Sequence, residues 1–151
     1  MGKMQRNKGV RGELEVFRII EDHLGISLRR NSQEQYETGG ADQKLHNFSL
    51  EIKRCEDLKL RTWWYEAVEQ IEYNEIPTLI YRQSRQPWRV MIPHCTISPI
   101  LFANHKQDED VFFAFENTVT MLLEPLFMDI VREVMSNDAL EAMRESGGHA
   151  H

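Results

Sequence analysis

Three side chains in the segment Glu37 to Leu58 have types and spacing suited to chemistry on a phosphate. Asp42 follows a glycine turn, Gly39-Gly40-Ala41, and nine residues later comes Glu51-Ile52-Lys53. Phe48, Leu50 and Ile52 alternate with Ser49, Glu51 and Lys53, so a strand here has one apolar face and one charged face. Two carboxylates offer hard oxygen ligands to a divalent cation, and an ammonium beside them can neutralise charge or orient a water. The chemistry expected of this set is metal-dependent phosphodiester hydrolysis. A Glu-x-Lys triplet alone says little, because an alternating charged strand is usually half exposed on a sheet.

A third acid strengthens the pattern. Residues Gly9 to Leu24 read as an amphipathic helix, with Val10, Leu14, Phe17, Ile20 and Leu24 at helical spacing. At ~100° per residue, Glu13 falls near the middle of that stripe and Glu15 on the opposite, solvated side, as an ordinary surface acid. Glu13 is then either the edge of an untidy stripe or an inward-pointing metal ligand, since a core-facing acid must be satisfied by a cation or by hydrogen bonds.

The run Lys8-Gly9-Val10-Arg11-Gly12-Glu13-Leu14-Glu15-Val16 resembles the opening helix of the archaeal-type and phage Holliday junction resolvases, within the PD-(D/E)XK nuclease superfamily. Gly39-Gly40-Ala41-Asp42 is similar to their small-residue turn ending in Pro-Asp, and Glu51-Ile52-Lys53 to their Glu-hydrophobic-Lys strand. The likeness spans roughly residues 8 to 92. It implies a restriction-endonuclease-like α/β fold, an αβββαβ core with a mixed central sheet flanked by helices. It also implies that Glu13, Asp42 and Glu51 are metal ligands for Mg²⁺, with Mn²⁺ able to substitute, and that Lys53 is the catalytic lysine. Gln70 resembles a glutamine on the second helix of many relatives. Two positions depart from the pattern: Ala41 stands where the proline would be, and Leu14 where an arginine would follow the first glutamate. DNA, four-way junctions included, is the implied partner, and a homodimer would nick it symmetrically in recombination. Rival readings are a restriction-, repair- or replication-type endonuclease of the same fold, and a DNA-binding protein that keeps the fold without turnover.

These groups need elements to hold them. Ile26–Arg30 reads as a first strand, Asn31–Gly40 as a polar loop, and Asp42–Leu45 with Phe48–Lys53 as a strand pair around His46-Asn47. Thr62 to Tyr73 reads as a helix with Trp64, Ala67, Val68 and Ile71 on one face. Thr78–Arg82 and Trp88–Ile92 are strands around the turn Gln83–Pro87. In the C-terminal third, Val111–Phe115 and Thr118–Leu122 read as strands. A broadly apolar helix runs from Pro125 to about Met135, and Glu145 to His151 are a frayed tail. The whole is expected to be one nuclease domain, residues 1–151, with a core at about 8–92 and an extension at about 93–145.

Composition sets the remaining bounds. The net charge of −6 is unevenly spread. Residues 1–107 carry 16 Lys/Arg against 14 Asp/Glu, while residues 108–151 carry two against ten. Lys3, Arg6, Lys8 and Arg11 precede any acid, as a phosphate-binding arm or as a solubilising tail. Lys59 to Tyr65 and Arg82 to Arg89 interleave basic and aromatic residues. Arg82, Arg85 and Arg89 are thus candidate DNA contacts, with Trp64 and Trp88 read as core and Trp63 open. Cys55 and Cys95, without CxxC spacing, favour reduced thiols. With no apolar run long enough to span a bilayer and no secretion signal, the expected location is bacterial, archaeal or phage-infected host cytoplasm, without membrane association.

Overall fold

A computed structural model describes residues 3–29, 43–98 and 109–148; the side chains of residues 3–8, 109 and 148 stand outside the description. Helix α1 spans Lys3–Leu24, hairpin strands β1 and β2 span Gln43–Leu45 and Phe48–Arg54, and α2 spans Leu60–Glu69. Strands β3 (Ile76–Arg82) and β4 (Arg89–Pro93) follow, then a short α3 (Glu109–Phe112), β5 (Thr118–Leu122) and a long α4 (Met128–Gly148). The fold is α/β: among the described residues one five-stranded sheet runs in the order β1-β2-β3-β4-β5, parallel only between β2 and β3, with helices on both faces.

The alternation expected of β2 decides which face is which. Phe48, Leu50 and Ile52 are buried in a core with Val16, Phe17 and Ile20 of α1 and with Phe127, Met128 and Val131 around the start of α4. The opposite face carries Leu79, Tyr81 and Met91, covered by Trp63 and Trp64 of α2. Trp64 is fully buried and donates its indole N–H to the Phe113 carbonyl at 2.7 Å, which satisfies the one polar atom it takes inside. Both it and Trp88 are core residues, as expected. Trp63, which its helical position left open, is buried too.

Several elements differ from expectation. Ile26–Arg29 form no strand: Ile26 and Leu28 rest partly buried against the core without ladder partners. Alternation reports half-burial, and a hydrogen-bonded neighbour is a separate requirement. Val111–Phe115 is not a strand either. It holds the end of α3 and the start of a 3₁₀ turn, Phe115–Asn117, with Phe112 buried and the Asn117 side-chain amide donating to the Val111 carbonyl. A kinked turn, Leu123–Phe127, in which Glu124 has extended backbone, precedes α4, so Pro125 lies ahead of the helix; α4 itself continues to Gly148, well past Met135 and into the supposed tail. Strand β5 pairs with β4, from Pro93↔Thr118 to Arg89↔Leu122, so the C-terminal third completes the central sheet.

The stripe on α1 is also turned. Leu14 is 49% exposed and Val16 fully buried, so Gly12, Val16, Phe17 and Ile20 face inward. Glu13 stays on the inward side of this rotated stripe and is half-buried. Among the described residues no helix is long and apolar enough to cross a membrane.

Candidate active site

Strand β2 carries the site. Glu51 sits at its middle, beside Leu79 of the parallel strand β3, and is only 5% exposed although it is an acid. Two residues on, Lys53 shares the same strand face, so its ammonium can reach back along the strand. Lys53 Nζ lies 3.3 Å from Glu51 Oε1. On its other side it lies 3.1 Å from Oε2 of Glu66, which α2 presents to this face of the sheet. One ammonium is therefore held between two carboxylates, one inside the protein and one at the surface.

That arrangement sets the charge state of the lysine. Burial alone would lower its pKa, but attraction to Glu51 and the hydrogen bond to Glu66 outweigh it, and the pKa is raised above the ordinary lysine value. Lys53 is an ammonium at neutral pH, suited to donating hydrogen bonds to an anion and unsuited to acting as a base.

Sequence reading missed Glu66, although a signal for it exists. Trp63, Glu66, Ala67 and Gln70 recur at helical spacing, and Trp63 and Ala67 are buried, so Glu66 lies on the sheet-facing side of α2. Gln70 caps the C-terminus of the same helix. Its Oε1 is buried and accepts no hydrogen bond among the described residues.

The other expected residues divide into three groups. Glu13 is half-buried on α1, one residue past Gly12, where the helix backbone comes against the end of β2: a Cβ built on Gly12 would stand 3.2 Å from Arg54 Cβ. Asp42 lies outside the described residues; its neighbour Gln43 pairs with Leu50, the residue before Glu51. Lys3, Arg6 and Lys8 belong to α1 rather than to a loose arm, with side chains outside the description. Arg11 and Arg85 are exposed and Arg89 is half-buried. Among the described residues no three His, Cys, Asp or Glu side chains are grouped so as to hold a metal, and the expected trio includes Asp42.

Glu15 is the clearest correction. Far from being an idle surface acid, it accepts hydrogen bonds from Arg82 Nη1 at 2.5 Å and Trp88 Nε1 at 3.0 Å, with Arg54 Nη1 at 3.7 Å from its other oxygen. The rotated stripe explains this. Glu15 lies ~60° around the axis from Gly12, the residue at which α1 meets Arg54 and Trp88. Arg82, expected as a DNA contact from the turn, is thus tethered at the end of β3.

The sequence model of a family described as phage putative PDDEXK endonuclease matches residues 4–138. That range takes in every strand of the sheet and the first half of α4. Searches of curated proteins and of solved structures found no match. The chain belongs to this endonuclease family, and so to the PD-(D/E)XK superfamily.

Proposed function

We propose that this member of the phage PDDEXK endonuclease family is a divalent-metal-dependent DNA endonuclease, with Glu13, Asp42, Glu51 and Lys53 as its working residues and branched DNA as its preferred substrate. The observation that carries the reading is the Lys53 ammonium fixed between Glu51 at 3.3 Å and Glu66 at 3.1 Å, where a scissile phosphate would meet it.

The donor chemistry fits a hard divalent cation. Glu51 places a carboxylate inside the protein on the α2 side of β2, and Glu13 adds a second, half-buried, on α1, which packs on the other side of that strand. With Asp42 these would hold Mg²⁺, or Mn²⁺ in its place, and the bound ion would supply Lewis acidity and lower the pKa of the attacking water.

The chain's own groups do the rest. Lys53, kept protonated by its two acidic neighbours, would donate to phosphate oxygens as negative charge builds in the transition state. Glu66 would hold Nζ from the solvent side, so that the lysine pays little reorganisation when the phosphate arrives. Preference for a four-way junction and symmetric paired nicks would follow from two such sites in a twofold homodimer.

The test is a cleavage assay on labelled four-way junction, flap and linear duplex in Mg²⁺, Mn²⁺ or EDTA. Cutting in either metal, none in EDTA, and paired nicks on the junction ahead of linear duplex are expected. Cutting in EDTA would overturn metal dependence. Equal cutting of linear duplex by a monomer would overturn junction preference and leave an endonuclease. No cleavage of any DNA in either metal would leave a binding protein.

A further inference from the structure

We infer that Arg54 and Arg82, oriented by Glu15, form a second anion site, for a backbone phosphate of the DNA next to the one being cut. This deepens the endonuclease reading and rests on it.

The geometry begins with the sheet. Strands β2 and β3 are parallel, so their C-terminal ends point the same way, and Arg54 and Arg82 are directly opposite one another at those ends. Residues opposite each other in adjacent strands project from the same face, at strand centres ~4.8 Å apart. Lys53, the neighbour of Arg54 in the chain, projects from the other face. The strand ends therefore carry the Lys53 ammonium on one side and two guanidinium groups on the other, beginning from Cα atoms ~3.8 Å apart.

Glu15 fixes the two arginines without neutralising them. A single carboxylate takes Arg82 at 2.5 Å and Arg54 at 3.7 Å, so the three groups together keep one positive charge. The Trp88 indole N–H donates to the same carboxylate, and the Arg82 guanidinium lies over the Trp88 ring, 6.0 Å from its centroid. Both arginine side chains are 26% exposed. Their Nε atoms are buried and make no hydrogen bond among the described residues, so only the outer guanidinium nitrogens are offered to solvent. Gly12 makes the arrangement possible: the Arg54 side chain passes beneath α1 where a Cβ would stand 3.2 Å from its Cβ and 3.6 Å from its Cδ. Paired, forked cations held in place at the strand ends, across the sheet from a buried carboxylate and lysine, are the chemistry that recognises a phosphodiester oxygen pair.

The test measures binding of the full chain to a fluorescent linear duplex in EDTA, by anisotropy across a monovalent salt series, for wild type, Arg54→Gln, Arg82→Gln and the double variant. The pair serves one phosphate, and each lost phosphate contact lowers the slope of log affinity against log salt by about 0.9, so the double variant should lose about 0.9 in all and each single variant no more than that. Arg54→Lys and Arg82→Lys keep the charge and the slope, and lose affinity a few-fold through the broken fork; they serve where a glutamine variant fails to fold. Slopes equal to wild type in folded glutamine variants would overturn the site, leaving the arginines as a tie between α1 and the sheet. Such variants of a chain that still cuts DNA would leave the endonuclease reading intact. A wild-type chain that neither binds nor cuts DNA would overturn both.

Discussion

Replacing Lys53 by methionine removes the ammonium while keeping most of the stem's volume, so packing changes little and the local charge changes by one. Nζ lies 3.3 Å from Glu51 and 3.1 Å from Glu66. At an effective dielectric of about 20, each pair has about 5 kcal/mol of bare attraction. Most of that is offset by the desolvation of Glu51, which is 5% exposed. The Glu66 pair is at the surface, where such contacts are worth about 0–1 kcal/mol. A loss of about 1–3 kcal/mol of stability is expected for the metal-free protein, chiefly from leaving the buried Glu51 carboxylate without this ammonium. Because the pKa of Lys53 is raised on folding, its contribution is fully present below the ordinary value of 10.5 and is lost as the pH climbs through its higher folded value. Wild type and variant should differ at about pH 7 and converge in strong alkali. The kinetic effect is larger. Removing one donor aimed at charge that develops in the transition state costs about 2.7–4 kcal/mol, or about 10²–10³ in rate. Single-turnover cleavage of end-labelled DNA in saturating Mg²⁺ reads the rate, and denaturant melts across pH read the stability. A Lys53→Met protein that cuts DNA within a few-fold of wild type would remove the lysine from the chemistry, and melts that differ equally at all pH values would contradict the ion-pair assignment.

Glu66→Gln takes away one of the two acids that hold the Lys53 proton, so the alkaline limb of the rate profile should move to lower pH with little change in stability, Glu66 being 43% exposed; an unmoved limb argues against a protonated lysine in the rate. Glu51→Gln should suppress cleavage and shift a metal titration of activity to higher concentration, whereas an unchanged titration would exclude it as a ligand. Glu15→Ala removes the acceptor shared by Trp88 and Arg82 and should cost about 1–3 kcal/mol in chemical denaturation; a neutral result would mean that water replaces the carboxylate there.

What the sequence by itself determined is what short-range periodicity encodes. The alternation Phe48–Lys53 is a property of neighbours, and it correctly separated the core face of β2 from the face bearing Glu51 and Lys53. The inward placement of Glu13 followed from helical spacing in the same way, even though the stripe around it turned out to be centred on Val16 rather than Leu14. Resemblance over one helix, one turn and one strand was enough for the superfamily, which the match over residues 4–138 supports. Where periodicity lacked a partner strand, it misled: Ile26–Arg29 alternates yet joins no strand ladder among the described residues, and the apolar run at Val111 bends into helical turns to bury Phe112. Only the tertiary structure decided which charges meet. Glu15 is 67 residues from Arg82 and 73 from Trp88, and it reaches them because α1 comes against Arg54, at the end of β2, and against Trp88 at a glycine. Glu66 meets Lys53 because α2 packs on the charged face of β2. Charge carries no period along a chain, so the partner of an acid is fixed by how helices dock on the sheet, and docking is the outcome of the whole core.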